Sequence, residues 1–324
     1  MTKQYIDVFN GDADGLSALV QLRLATPLRS ELVTGVKRDI NLLKRVNADA
    51  DTHITVLDLS FEKNVEDIER LLDEGASIEY IDHHKTGELL KHDLLMCHID
   101  LSAETCTSLI VDKQLEGQYR EWAITGAFGD NLTAVAQQLG ELSGINEPDL
   151  VLLQKLGTYL NYNGYGSSID DLFFHPAELF EKLCEFESPI EFIKHDSETF
   201  SILESCYKND MFIAEQVPLK YETETIAILE LPNEKWARRV SGAYSNELTN
   251  NSPDKAHAVL IDKGNKSYLV SIRAPLNRRY GADLVANQFP TGGGRKSAAG
   301  INDLPFDKLS DFIAEMQQEY KKIV

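Results

Sequence analysis

The feature that most restricts the fold is an alternation, over the first hundred residues, of short β-branched or apolar runs with amphipathic stretches. QYIDVF is followed by a helical spacing over 16–25, ELVTGV by one over 39–46 and THITVLD by one over 62–73, and SIEYID closes the series. Strand-length runs separated by stretches of helical period are the mark of β-α-β units, whose strands lie parallel under covering helices. The N-terminal part is therefore predicted to be α/β with a parallel sheet. Ligands of such sheets gather beyond the carboxyl ends of the strands, so chemistry is to be sought there.

From about Glu104 to Phe212 the apolar spacing is mostly helical, with breaks at 140–144, 161–168 and His175-Pro176. Past Val217-Pro218, ETIAILEL, AHAVLIDKG and KSYLVSIRA read as strands, a glycine-rich segment follows at 292–294, and a last helix is expected at about 306–323. A chain of 324 residues exceeds what one hydrophobic core organises, and its 43% hydrophobic content suffices for two. The expected organisation is an α/β domain with a helical extension over 1–190, a helical connector over 191–217 and a smaller α+β domain over 218–324.

The formal net charge of -20 repels a polyanion at long range, which disfavours long nucleic acid and favours a small anionic substrate held by a local site. No stretch approaches the roughly 20 apolar residues of a membrane span, and the opening residues carry no apolar signal region. Cys97, Cys106, Cys184 and Cys206 have no paired spacing of the zinc-ribbon or disulfide-framework kind. A cytoplasmic protein is expected.

Four clusters fall where predicted strands end. In FNGDADGLSA, Asp12 and Asp14 flank one residue in a turn that Gly11 and Gly15 allow to fold tightly, so both carboxylates can face one point. Asp58 ends THITVLD, Asp82-His83-His84 ends SIEYID, and Asp130 follows WAITGAFG. Taken singly, a loop aspartate is most often a helix cap or turn former. Four aspartates with one or two histidines at the ends of one sheet instead suit Mn²⁺ better than zinc, with Mg²⁺ or Co²⁺ as alternatives. Two ions sharing such ligands would serve the in-line displacement of phosphoester hydrolysis.

In order along the chain, GDADG, the LD ending at Asp58, IDHH at 81–84, GAFGD ending at Asp130 and TGGGRKSAAG at 291–300 resemble the motifs of the DHH phosphoesterase superfamily and its C-terminal DHH-associated domain. That group includes RecJ-like nucleases, oligoribonucleases that also act as pAp phosphatases, and cyclic dinucleotide phosphodiesterases. The resemblance spans nearly the whole chain. It implies that Asp12, Asp14, Asp58, His83 and Asp130 are metal ligands, with Asp58 bridging two ions. It further implies that Asp82 orients a ligand, that His84 faces the scissile phosphate, and that the nucleophile is a metal-activated water. Arg273, Gly292, Gly293, Gly294, Arg295 and Lys296 would bind substrate, with Arg278 and Arg279 adding to a basic lip.

Two positions depart from the pattern. Asn10 stands where many members carry His or Asp, and a neutral amide is the weaker ligand. Arg295 replaces the usual His of the C-terminal signature, exchanging a titratable group for a permanent cation. The expected activity is manganese-dependent hydrolysis of phosphate bonds in nucleotides or short oligonucleotides. The alternatives are a RecJ-like single-strand exonuclease and a nucleotide-binding sensor without turnover. A homodimer is compatible with all three.

Overall fold

The computed structural model describes residues 3–321. The chain divides into two compact units, 1–206 and 207–324, and the division falls inside the segment expected to be the connector.

The first unit holds five strands: β1 (Gln4–Asn10), β2 (Glu31–Gly35), β3 (Thr52–Leu57), β4 (Ser77–Asp82) and β5 (Leu95–Ile99). All pair parallel, in the order β2-β1-β3-β4-β5. The chain leaves β1 towards one edge and returns to the other side of β1 to build β3, so the strand order reverses between these two. At such a reversal the connections leave in opposite directions and open a crevice at the carboxyl ends.

The helices of this unit are α1 (Ala13–Ala25), α2 (Phe61–Asp73), α3 (Thr107–Gln114), α4 (Arg120–Gly129), α5 (Thr133–Leu142), α6 (Glu147–Asn163), α7 (Pro176–Leu183) and α8 (Pro189–His195). A further helix, α9 (Ser197–Glu215), runs across the division. α1 is buried continuously from Ala13 to Gln21 because α3, α4, α6 and α7 all pack on it, so its sequence shows no amphipathic face.

The expected helix over 39–46 is only a 3₁₀ turn, Leu42–Arg45, whose two leucines are buried beside the sheet. β5 has no counterpart in the sequence reading: LMCHI is a half-buried edge strand without the β-branched alternation that marks the others. The fourth cluster ends a helix and not a strand, since WAITGAFG lies within α4 and Asp130 follows its last residue.

The second unit has a six-stranded sheet in the order β10-β11-β9-β8-β7-β6. Its strands are β6 (Leu219–Glu222), β7 (Ile226–Leu231), β8 (Ala256–Asp262), β9 (Ser267–Arg273), β10 (Gly292–Arg295) and β11 (Ala298–Pro305). Among these described strands only β7 and β8 pair parallel, joined by the crossover helix α10 (Lys235–Asn251). α11 (Ala282–Ala286) and α12 (Leu309–Glu319) cover one face with Ile272, Ile301 and Phe312 in the core, and α10 covers part of the other. The glycine-rich segment is thus strand β10 of a hairpin. The last helix ends within the described residues, and the expectation for 322–323 lies outside them.

Candidate metal centre

Each carboxylate arrives from a different element. Asp12 caps α1, and its Oδ1 accepts from the backbone N–H groups of Asp14 and Gly15 at 3.1 Å each. The capping role is thus realised, and Asp12, which the family resemblance makes a metal ligand, is in neither of the donor sets described below. Neither Gly11 nor Gly15 has a left-handed backbone. What demands glycine is close approach: a Cβ on Gly15 would stand 2.3 Å from the Asn10 carbonyl oxygen. Asp14 is fixed from the N-terminus of α3, where the amides of Thr107 and Ser108 donate to its two oxygens at 2.8 Å each.

Asp58 follows β3 with φ of 58°, a left-handed conformation that Asp and Asn tolerate better than most residues. Asp130 is brought in by α4, which lies against α1 and α6 because Gly129 has no side chain. A Cβ there would meet the Ala13 Cβ at 2.2 Å and the Gly157 carbonyl oxygen at 2.8 Å.

The donors converge on His83. Its Nε2 lies 3.4 Å from Asp58 Oδ1, 3.8 Å from Asp130 Oδ2 and 3.9 Å from Asp14 Oδ2. Two sets of donors form, Asp58 with His83 and His84 and Asp14 with His83 and Asp130, and within each set the atoms lie within 4.8 Å of one another. Asp82 accepts from His84 Nδ1 at 2.7 Å, so among the histidines it orients His84 rather than His83. That bond leaves Nε2 of His84 as the free end of a half-exposed ring.

The electrostatics are those of crowded anions. Burial, then the like charges of Asp12 and Asp14, push the Asp58 carboxyl well above the usual carboxylate range. Burial and the Asp14 charge push Asp130 up to about 6. Burial works against protonation of His83, but its approach to Asp58 and the charge of Asp14 outweigh burial and push it up to about 9. The hydrogen bond to Asp82 raises His84 against the effect of burial. Asp12 moves the other way: burial would raise it, but the Lys37 ammonium and the capping amide of Gly15 prevail and lower it.

Three carboxylates crowded around one imidazole in a low-dielectric site call for a cation, and hard oxygen donors with imidazole suit Mn²⁺ or a similar divalent ion. Two buried acceptors, Asn10 Oδ1 and Asp82 Oδ2, have no hydrogen-bond partner. These observations fit a metal. Asn10 is buried, its Nδ2 donating to the Lys37 carbonyl at 3.3 Å.

Sequence reasoning missed Lys37 and Asn161. Lys37 Nζ donates to Asp12 Oδ2 at 2.5 Å and Asn161 Oδ1 at 2.8 Å, and stands 3.8 Å from Asp130 Oδ1. Lys37 lies just past the end of β2, so the strand-end rule could have found it. Asn161, on α6 and 124 residues away, left no local signal.

In the second unit, register places the remaining predicted residues. Arg273, Ala298 and Arg295 are opposite one another on β9, β11 and β10, and Ser271, Gly300 and Gly293 form the next row on the same face. Arg273 and Arg295 thus stand two strand spacings apart, roughly 9.5 Å, beside a floor nearly free of side chains. The three glycines differ in kind. A Cβ at Gly292 would lie 1.8 Å from the Ala286 carbonyl oxygen, and one at Gly294, with φ of 145°, 2.5 Å from Ala299 Cα, whereas Gly293 has open space.

Arg273 Nε donates to Asn246 of α10 at 2.8 Å. Arg295 is exposed, and Lys296 Nζ lies 5.7 Å from the Tyr280 ring. Arg278 is paired with Glu319 at 3.1 Å, while Arg279 is exposed.

A five-stranded parallel α/β unit followed by a mixed-sheet unit is the fold that this chain shares with DHH-domain proteins. The DHH domain of a protein described as a member of a family of ribosomal proteins superposes with a TM-score of 0.67 at 14% identity, over 99% of this chain and 87% of that one. Exonuclease RecJ bound to manganese gives 0.66 at 14% identity, over 99% and 91%. The pGpG-specific phosphodiesterase PggH from Vibrio gives 0.55 at 14% identity, over 98% and 100%. No protein-family model and no curated protein matches the sequence.

Proposed function

We propose that the protein is a metal-dependent phosphoesterase that hydrolyses phosphate bonds of nucleotides or short oligonucleotides, with Mn²⁺ as the working ion. The observation that carries the reading is the convergence of Asp14, Asp58, His83 and Asp130 donor atoms at the crevice between β1 and β3. A divalent ion bound by them would polarise the phosphoryl group and acidify a water.

The chain's own residues supply the rest. His84, fixed through Nδ1 by Asp82, presents Nε2 to the phosphate side, where a proton can be handed to the leaving oxygen. Asp14, held by two amides, and Asp12, held by two amides and Lys37, cannot turn away from the centre. In the second unit, Arg273 and Arg295 would take phosphate oxygens while the Ser271–Gly300–Gly293 floor lets a flat base lie against the sheet. Gly292 and Gly294 hold the hairpin that presents Arg295 and Lys296.

The DHH neighbours include an exonuclease and a pGpG phosphodiesterase, which supports phosphate-ester chemistry on nucleotide substrates. No helix among the described residues is long and apolar enough to cross a membrane. A cytoplasmic location belongs to the same proposal, with Cys97, Cys106 and Cys184 as thiols. The test is a panel of pAp, dinucleotides and longer oligomers assayed with Mn²⁺, with Asp58→Asn as control. Turnover of the short substrates that Asp58→Asn abolishes is expected. Binding without turnover would favour a sensor, and efficiency rising with chain length would favour an exonuclease.

A further inference from the structure

Lys37 sits where a cation is needed. Its backbone is pinned on both sides: the N–H donates to the Gly164 carbonyl at 2.8 Å, and the carbonyl accepts from Asn10 Nδ2. Its side chain is mostly buried, and the ammonium is gripped by Asp12 Oδ2 at 2.5 Å and Asn161 Oδ1 at 2.8 Å with Asp130 Oδ1 beyond at 3.8 Å. Asn161 is itself held, since its Nδ2 donates to Tyr165 Oη at 3.1 Å. The ammonium therefore bridges two of the carboxylates that the family resemblance assigns to metal.

The donor geometry divides accordingly. Among the described residues, both sets of atoms able to share an ion contain His83, and neither contains Asp12. Asp12 has one oxygen taken by the amides of Asp14 and Gly15 and the other by Lys37. The charge of Lys37 bears on how many ions the cluster needs. Asp12, Asp14, Asp58 and Asp130 carry four negative charges, Lys37 offsets one, and Asn10 contributes none. With Lys37 in place one divalent ion leaves the cluster at a net charge of about -1, whereas without Lys37 one ion would leave about -2, so the ammonium takes over part of the neutralisation that a second ion would supply.

We propose that the centre takes one divalent ion, at the His83 side, and that the Lys37 ammonium stands in for the second cation beside Asp12. The inference rests on the metal-centre reading of the site and replaces the two-ion expectation drawn from sequence. A lysine in this place offers a fixed positive charge and up to three N–H donors, able to hold a phosphate oxygen but unable to activate a water as a metal does.

The test is metal stoichiometry, which is read independently of turnover. The full-length protein is dialysed against Mn²⁺, bound manganese per chain is measured by elemental analysis, and the spin-resonance spectrum is recorded. Wild type should bind one ion with an uncoupled six-line spectrum. Lys37→Met, of similar length and uncharged, should bind two, with the exchange-coupled spectrum of ions about 3.5–4 Å apart.

Two ions in wild type would overturn the proposal, and that measurement needs no variant to fold. A folded Lys37→Met protein that still binds only one would also overturn it, and Lys37→Gln repeats the comparison with a different neutral side chain. One ion without hydrolysis of any substrate would sink the phosphoesterase reading and leave the inference standing. Hydrolysis with two ions would do the reverse.

Discussion

Gly129→Ala should weaken metal binding although the residue carries no donor. The added Cβ would lie 2.2 Å from the Ala13 Cβ and 2.8 Å from the Gly157 carbonyl oxygen, against 3.4–4 Å for ordinary contact. Neither neighbour can swing aside: one sits at the buried start of α1, the other on the backbone of α6. The end of α4 must therefore retreat by roughly 1.2–1.8 Å, a typical overpacking case worth about 1–3 kcal/mol. Asp130 is the next residue and moves with it, beyond the roughly 0.2 Å tolerance of a metal ligand. Mn²⁺ affinity by calorimetry should fall at least about tenfold, with a melting temperature lower by several degrees. Gly242→Ala is the contrasting substitution: that glycine lies inside α10 with open space around it. Its change should be neutral or stabilising by up to about 1 kcal/mol. If Gly129→Ala binds Mn²⁺ as wild type does and melts at the same temperature, helix crowding does not position Asp130.

Asp58→Asn should abolish metal-dependent turnover while leaving the fold intact, since Asn tolerates the 58° φ, whereas Asp58→Ala should add a stability loss on the order of 1 kcal/mol or more; near-wild-type rates would refute the ligand role. His257 is buried on β8, and burial followed by the Lys255 charge lowers it to about 4. Its neutral form is the folded one, so stability is lost as pH falls below the unfolded value near 6.5 and the loss saturates below about 4. Between about pH 7.5 and 5 the penalty is about 2 kcal/mol, and urea titrations of His257→Gln should lack it; an unchanged pH slope would contradict the assignment. Arg295→Ala should raise the Michaelis constant for short substrates with a terminal phosphate by at least about tenfold, for a charge-assisted bond on the order of 1.5–3 kcal/mol, and an unaltered constant would remove Arg295 from the site.

Legibility in the sequence followed the range of the physics. β1 to β4 and the residues just past them were readable because β-branched runs of strand length and the strand-end rule are local signals. Asp14, Asp58, His83 and Asp130 converge in the structure, and Asp12 of the same motif set does not join them. Lys37 and Asn161 were missed because their meeting spans 124 residues. The glycines of GAFG carry a packing instruction rather than a loop, and only the crossing of α4 with α1 and α6 reveals it. The triple at 292–294 likewise conceals one open position, Gly293, between two that serve the hairpin.

The crowding of carboxylates at the strand ends argues for a bound ligand in the first unit. Asp58 and Asn131 both have left-handed backbones, at 58° and 63°, and both border the cluster. Asn10 Oδ1 and Asp82 Oδ2 are buried without partners in the same region. A left-handed backbone costs Asp and Asn less than other residues, while an unpaired buried acceptor costs about 1–3 kcal/mol. Crowded carboxylates add mutual repulsion, visible in the raised Asp58 and Asp130. A chain selected for stability alone would relieve each of these with a single substitution, for example Asp58→Gly or Asp130→Asn. A bound cation offsets the repulsion among Asp14, Asp58 and Asp130, so one ligand accounts for a crowding of carboxylates around His83 that has no structural use of its own.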